Sequence, residues 1–216
     1  MPCLILATGN LHKVEEIRSI LGDGPWDWLT LRDFPGAPVA CEDADTFAGN
    51  ATKKAASLAQ WLAQQPGVHR QHPVAWVLAD DSGLEVDALN GAPGVHSARF
   101  AALETNATGN SRDADNNAKL LRLLNDVPDV QRAARFRCCI AVVQLSGGPC
   151  LLFDGACEGK IARAPSGQGG FGYDPLFIPS GFNRSFAELS GEVKNKISHR
   201  AVALAKLAQW LRTLPG

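Results

Sequence analysis

Two adjacent carboxylates, Asp80 and Asp81, follow an apolar run from Val74 to Ala79 and precede Ser82-Gly83. The run reads as a buried strand, so the acids stand at its carboxyl end. In α/β proteins that edge is where ligands bind. Carboxylates gathered there suit a hard cation such as Mg2+, and one of them can act as a base toward water. Successive strand residues point to opposite faces, so the pair serves one site only if the chain turns. Ser82 and Gly83 offer the turn chemistry: a side-chain oxygen and a residue free to take positive φ. A solvated Asp-Asp-Ser-Gly turn with no ligand is the plain alternative.

Three further clusters carry possible chemistry. Thr8-Gly9-Asn10-Leu11-His12-Lys13 lies at a strand-to-helix junction, where free N–H groups attract anions and Lys13 reaches toward a phosphate. It is not a Walker A loop, and a capped turn with a surface lysine explains it equally simply. Gly167 to Gly172 matches G-x-G-x-x-G, but no strand leads in and Tyr173-Asp174-Pro175 cannot open a normal helix. The dinucleotide reading is therefore rejected. A loop that wraps a planar base, with Phe171 and Tyr173 stacking, stands beside a plain plastic loop. Lys194, His199 and Arg200 gather before the last helix, where Ser198 is an N-cap candidate. Cations at a helix start oppose the macrodipole, which an anion or an electron-rich carbonyl would relieve; a solvated basic turn is the commoner case.

Lesser features complete the inventory. Glu42, Asp43 and Asp45 form an acidic patch that either adds a metal ligand or solubilises a loop. Ser97-Ala98-Arg99-Phe100 sets an arginine beside an aromatic. His69 and His72 fall in a polar loop and receive no role.

The elements that must position these groups follow from periodicity. Cys3 to Ala7 reads as a strand, followed by a helix with Leu11, Val14, Ile17, Ile20 and Leu21 on one face. Trp26 to Leu31 is a second strand. A long helix carries Phe47, Ala51, Ala55, Leu58, Ala59 and Leu62, then Gln64 to Pro73 is an exposed loop. Leu84 to Leu89 is a strand after the acidic turn, and residues 104–114 form a polar, mobile stretch. Ala118 to Leu124 is helical, with Asp113 or Asp115 as N-cap. Ala133 to Leu145 and Cys150 to Glu158 are paired strands, Leu176 to Ile178 a short one, and Ser198 to Leu214 a closing helix with Val202, Leu204, Ala205, Leu207, Ala208 and Leu211 inward. The expected fold is α/β, one domain over residues 1–216: a long mixed β-sheet with flanking helices in two lobes around a central cleft.

Composition narrows the partners. The chain of 216 residues has a formal net charge of −1, which argues against a nucleic-acid binder. No apolar run reaches the roughly 18 residues that span a bilayer, and no signal peptide is visible. Six cysteines, at positions 3, 41, 138, 139, 150 and 157, lack zinc-site spacing and fit a reduced cytoplasmic setting, with Cys138 and Cys139 buried as small hydrophobes.

Taken in order, the blocks resemble the inosine triphosphate pyrophosphatase family, the XTP/dITP diphosphatases. They are Thr8 to Lys13, Thr46-Phe47 with Asn50-Ala51 and Lys54-Ala55, Ala79 to Leu84, Gly91 to Gly94 with Ser97 to Arg99, Gly169 to Pro175, and Lys194 with Ser198 to Arg200. Each block is weak alone; the ordered set over nearly the whole chain is specific. Gly49 departs from the glutamate common in bacterial relatives, and the loop after Gln64 looks longer than usual.

The resemblance implies a homodimeric, Mg2+-dependent enzyme that cleaves ITP, dITP and XTP to the monophosphate and pyrophosphate. It implies Asp81 as general base and metal carboxylate; by their own chemistry Asp80 and Glu42 would help to hold the metal. Thr8, Gly9, Asn10 and Lys13 become the triphosphate loop and Ser82 a substrate contact. Phe171, Gly172, Tyr173, Asp174, Lys194, His199 and Arg200 become the nucleoside set. Arg200 and His199 would donate to the 6-keto oxygen that hypoxanthine and xanthine share. Two other readings stay open from the residues: a pyrophosphatase for modified pyrimidine triphosphates, and a nucleotide-binding regulatory module without turnover.

Overall fold

The computed structural model describes residues 2–22, 24–65, 67–105 and 108–214. Among these, a six-stranded sheet has the order β2-β1-β3-β4-β5-β6, formed by β1 (Cys3–Leu6), β2 (Asp27–Thr30), β3 (Ala75–Val86), β4 (Ala133–Gln144), β5 (Leu151–Ile161) and β6 (Phe177–Pro179). β1 pairs in parallel with β2 and β3, while β5 and β6 are antiparallel, so the sheet is mixed as expected. The helices are α1 (Leu11–Leu21), α2 (Phe47–Ala63), α3 (Val68–Gln71), α4 (Ala102–Thr105), α5 (Asp113–Leu123), α6 (Gly191–Ile197) and α7 (His199–Leu211).

The chain forms two compact units. The first comprises residues 1–81, 138–155 and 203–216; the second comprises 82–137 and 156–202. In the first unit, strand alternation sorts side chains into two cores. Cys3, Ile5, Val77, Ala79, Ala141 and Val143 pack with Ala51, Ala55, Leu58 and Leu62 of α2. Leu4, Leu6, Leu78, Cys138, Ile140 and Val142 pack with Val14 and Ile17 of α1 and with Leu204, Leu207 and Leu211 of α7. A sheet apolar on both faces needs helices on both, and the stripes of α2 and of α1 with α7 supply them. In the second unit Leu84, Val86, Leu120, Phe136, Phe177 and Phe186 form the core, with Phe136 and Phe177 edge to face at 4.7 Å between centroids.

Four local expectations are corrected. β3 runs unbroken from Ala75 to Val86, so there is no turn at Ser82-Gly83. The strand is hydrogen-bonded to β1 as far as Leu78 and to β4, and it continues extended through Ser82-Gly83. The Gln64 to Pro73 stretch contains α3, entered through Gly67 at φ 89° and anchored by buried Val68, which joins the α2-side core. Residue 66 of that stretch, and residues 106 and 107 of the polar stretch before α5, lie outside the described residues. Arg112 is the N-cap residue of α5, with no side-chain cap; Asp113 and Asp115 instead occupy its first turn. Lys194 sits on a helix of its own, α6, capped by Ser190 Oγ accepting from the Val193 N–H.

On α7 the inward residues are Ala203, Leu204, Leu207 and Leu211, whereas Val202 and Ala205 face outward. No helix among the described residues is long and apolar enough to cross a membrane.

Candidate active site

In the first unit, Asp81 is the centre of a buried polar group. As the strand alternates, Asp81 shares the face of Val77 and Ala79, toward α2. Lys54 of α2 donates to Asp81 Oδ1 at 2.7 Å, and its Nζ is also 3.3 Å from Glu42 Oε1. Asn50, one turn earlier on the same helix and fully buried, donates to Asp81 Oδ2 at 3.4 Å. Its Oδ1 accepts from the Ala44 N–H at 2.9 Å, which fastens the acidic segment that carries Glu42. Thr46 starts α2 by accepting from the Gly49 N–H at 3.0 Å. Glycine at 49 has a local reason: a Cβ there would come within 2.8 Å of the Ala44 Cβ.

Burial pushes the Asp81 carboxyl above its ordinary pKa, against the pull of Lys54 and Lys13. Burial acts against the Lys54 charge as well, but Asp81 and Glu42 more than offset it and hold the ammonium above its ordinary value. Both ends of the pair therefore keep protons more tightly than they would in water.

Asp80 points the other way. It meets Lys13 Nζ of α1, and the Cys138 thiol donates to its Oδ2 at 3.1 Å. The strand runs straight through the expected turn, and the two acids take different lysines: Asp81 shares Lys54 with Glu42, while Asp80 meets Lys13. The loop before α1 forms a capped turn. Asn10 caps the helix through Oδ1, which accepts from the Lys13 N–H at 3.3 Å, and Thr8 Oγ1 accepts from the Asn10 N–H at 3.2 Å. A Cβ on Gly9 would meet no protein atom within 4 Å, so the loop has open space at that point.

Metal fit rests on donor chemistry. Among the described residues no three His, Cys, Asp or Glu side chains group as a ready metal set. Mg2+ needs few protein ligands when substrate phosphates supply the rest. Glu42 and Asp81 already converge on one cation, the Lys54 ammonium, so this carboxylate pair fits such an ion.

The second unit holds the other group. Ser82 follows Asp81 on β3, and Arg200, 1 % exposed, donates from Nη2 to Ser82 Oγ at 3.2 Å. The Arg200 guanidinium lies 5.9 Å from the Phe171 ring centre and the Lys194 ammonium 4.8 Å from it. Lys194 is also bound to Asp174 Oδ2 at 2.5 Å, and that oxygen accepts from the Phe171 N–H at 2.9 Å. The charge of Lys194 is thus met inside the chain rather than gathered at the start of α7. His199, the first residue of α7, is buried with its ring stacked on Phe136 at 4.7 Å. Ser198 does cap α7, accepting from the Ala201 N–H at 3.1 Å. Buried Tyr173 donates its hydroxyl to the Ser97 carbonyl at 2.9 Å, and burial pushes its phenol pKa up.

Lys54 and Asn50 are the functional candidates to which the sequence assigned no role. The signal was present: two polar residues four apart on the apolar face of a helix, which an ordinary surface pair would avoid. All six cysteines are thiols outside any disulfide, and burial pushes the Cys139 thiol to about 11, consistent with a small buried hydrophobe.

The chain is 47% identical over 215 residues to a protein of Opitutus terrae named dITP/XTP pyrophosphatase, covering 97% of this chain and 98% of that one. A dITP/XTP pyrophosphatase of Desulforamulus reducens is 46% identical, with 98% and 96% covered. Among solved structures, a HAM1 protein from Coxiella burnetii superposes with a TM-score of 0.82 at 37% identity, covering 99% of this chain and all of that one. The Staphylococcus aureus Ham1 protein gives 0.78 at 33% identity, with 97% and 98% covered. Residues 4–210 match the Ham1 family, and the chain belongs to it.

Proposed function

We propose that this protein hydrolyses non-standard purine nucleoside triphosphates (dITP, ITP and XTP) at the α–β phosphoanhydride, releasing the monophosphate and pyrophosphate. The observation that carries the reading is the Asp81–Lys54–Glu42 group with Asn50, in a chain whose relatives are named dITP/XTP pyrophosphatase.

In this reading Asp81 accepts the proton of a water whose oxygen bonds to the α-phosphorus as the bond to the bridging oxygen breaks. Its raised pKa makes it a stronger base than a free carboxylate. Asn50 and Lys54 fix its orientation, and Lys13 with the N–H groups of the Thr8 to Asn10 loop holds the phosphates for in-line attack. Glu42 and Asp81 would hold Mg2+, which supplies neutralisation of charge on the phosphate oxygens. Around the base, Phe171 stacks while Arg200 and His199 donate to the 6-keto oxygen. A 6-amino group would set donor against donor, and a buried mismatch of that kind discriminates strongly.

We also infer a homodimer, and a cytosolic setting that suits six thiols outside any disulfide. Incubation with ITP and Mg2+ tests the activity, with pyrophosphate and orthophosphate assayed separately. Pyrophosphate equal to the IMP formed, lost on chelation of the metal, is the expected result; orthophosphate as first product overturns it. Sedimentation at twice the chain mass checks the dimer.

A further inference from the structure

We propose that Asp113 and Asn117 of α5 are positioning residues for the nucleoside end of the substrate, because they grip the Gly172 residue from both sides. This role rests on the nucleotide reading above. The Gly172 N–H donates to Asp113 Oδ2 at 2.6 Å, and Asn117 Nδ2 donates to the Gly172 carbonyl at 3.0 Å. The two side chains are four residues apart and so share one helix face.

Two hydrogen bonds from one helix hold this point of the loop directly. Gly172 has φ 64°, a conformation that side chains other than glycine rarely adopt, and a Cβ there would touch no atom within 4 Å. With no side chain of its own to pack, Gly172 is held through its main chain by these two hydrogen bonds. Its neighbours are the groups that face the base in the proposed reaction. Phe171 lies beside Lys194 and Arg200, and Tyr173 is tied to the Ser97 carbonyl. The same helix also secures that 94–101 segment: Asn116 accepts from the Ala101 N–H at 2.8 Å and donates to the Ala98 carbonyl at 3.3 Å.

Asn117 gives a second, independent sign. Its Oδ1 is buried and makes no hydrogen bond. An apolar side chain of similar size would avoid that desolvation, so the amide's distinctive contribution is the Nδ2 bond to Gly172. Holding a loop in its bound conformation lowers the ordering cost of the ligand, which appears in binding rather than in the chemical step.

The full-length protein and three variants test this: Asn117→Asp, which deletes the donor; Asp113→Ala, at an exposed site that the fold tolerates; and Asp113→Asn, which keeps an acceptor oxygen. IMP and pyrophosphate binding are measured by calorimetry with Mg2+, ITP turnover by pyrophosphate release, and amide exchange over residues 169–175 by mass spectrometry. Asn117→Asp and Asp113→Ala should weaken IMP by about tenfold, the scale of one hydrogen bond. Pyrophosphate affinity and kcat should hold within about twofold while KM rises and loop exchange accelerates. Asp113→Asn should restore most of the IMP affinity. Parallel loss of IMP and pyrophosphate affinity, or faster exchange with IMP affinity intact, overturns the positioning role alone. Wild-type protein that binds pyrophosphate but neither binds IMP nor turns over ITP overturns the functional reading and this role with it.

Discussion

Asp80 and Asp81 are consecutive residues whose carboxylates leave β3 on opposite faces, each to a lysine from a different helix. Asp80 meets Lys13 of α1, and Asp81 meets Lys54 of α2. Adjacency in the sequence has not produced a carboxylate pair. It has produced two ion pairs on opposite faces of one strand that still feel each other: Lys13 also pulls on the Asp81 carboxyl, and Asp80 on the Lys54 ammonium.

Asp81→Asn removes the proposed base and keeps the shape. Turnover of ITP should fall by about 10²- to 10⁴-fold with nucleotide affinity largely kept. Asp80→Asn acts through Lys13 and should appear mainly in KM. Steady-state kinetics on both variants decide the division, and an equal loss of kcat in the two would put both acids in the same step.

The pH dependence has a defined sign. A base works only when ionised, so activity is lost as pH falls through the Asp81 pKa. Burial raises that pKa, and Lys54 is the largest influence opposing the rise. The acid limb of kcat/KM should therefore lie above the ordinary carboxylate range. Lys54→Met should move it to higher pH still, and Lys13→Met should move it less. A limb that stays in place when Lys54 is removed would exclude Asp81 as the base.

The Lys13–Asp80 pair should show its value in stability. Asp80 is 1 % exposed in its side chain and Lys13 16 %. Removing the lysine alone leaves a buried carboxylate without its ammonium, a change that costs about 3 kcal/mol. Lys13→Met should lower the urea midpoint accordingly, and adding Asp80→Asn should recover part of the loss. Additive effects of the two substitutions would mean that the pair is not coupled.

Gly170 is constrained twice over. Its φ is 70°, and a Cβ would run into the Asp174 carboxylate that holds both Lys194 and the Phe171 N–H. Gly170→Ala should cost about 2 kcal/mol of stability and weaken IMP binding, with pyrophosphate binding kept. Thermal unfolding together with calorimetry on the two ligands checks both halves.

Much of this was legible in the chain. The apolar positions of α2, from Ala51 to Leu62, lie in the core as their spacing predicts, because a helical period fixes a face whatever that face meets. β1 and β4 follow from equally local signals. Ser82-Gly83 misled because those residues permit a turn without requiring one, and here they run extended within β3, which is hydrogen-bonded to β4. Val68 shows the opposite error: one buried side chain was enough to order α3 inside a polar stretch.

The sequence by itself determined the sheet-and-helix alternation, the loop between β1 and α1, the glycine-rich segment and the identity of Asp81 as the residue to watch. Tertiary structure alone decided which charges meet. Lys54 finds Asp81 across 27 residues and Lys194 finds Asp174 across 20, while Asp113 and Asn117 reach Gly172 across more than 50. Periodicity is local and survives in the order of residues. Partnership between distant segments exists only once packing has set one helix face against one strand or loop, and that packing also turned two neighbouring acids away from each other.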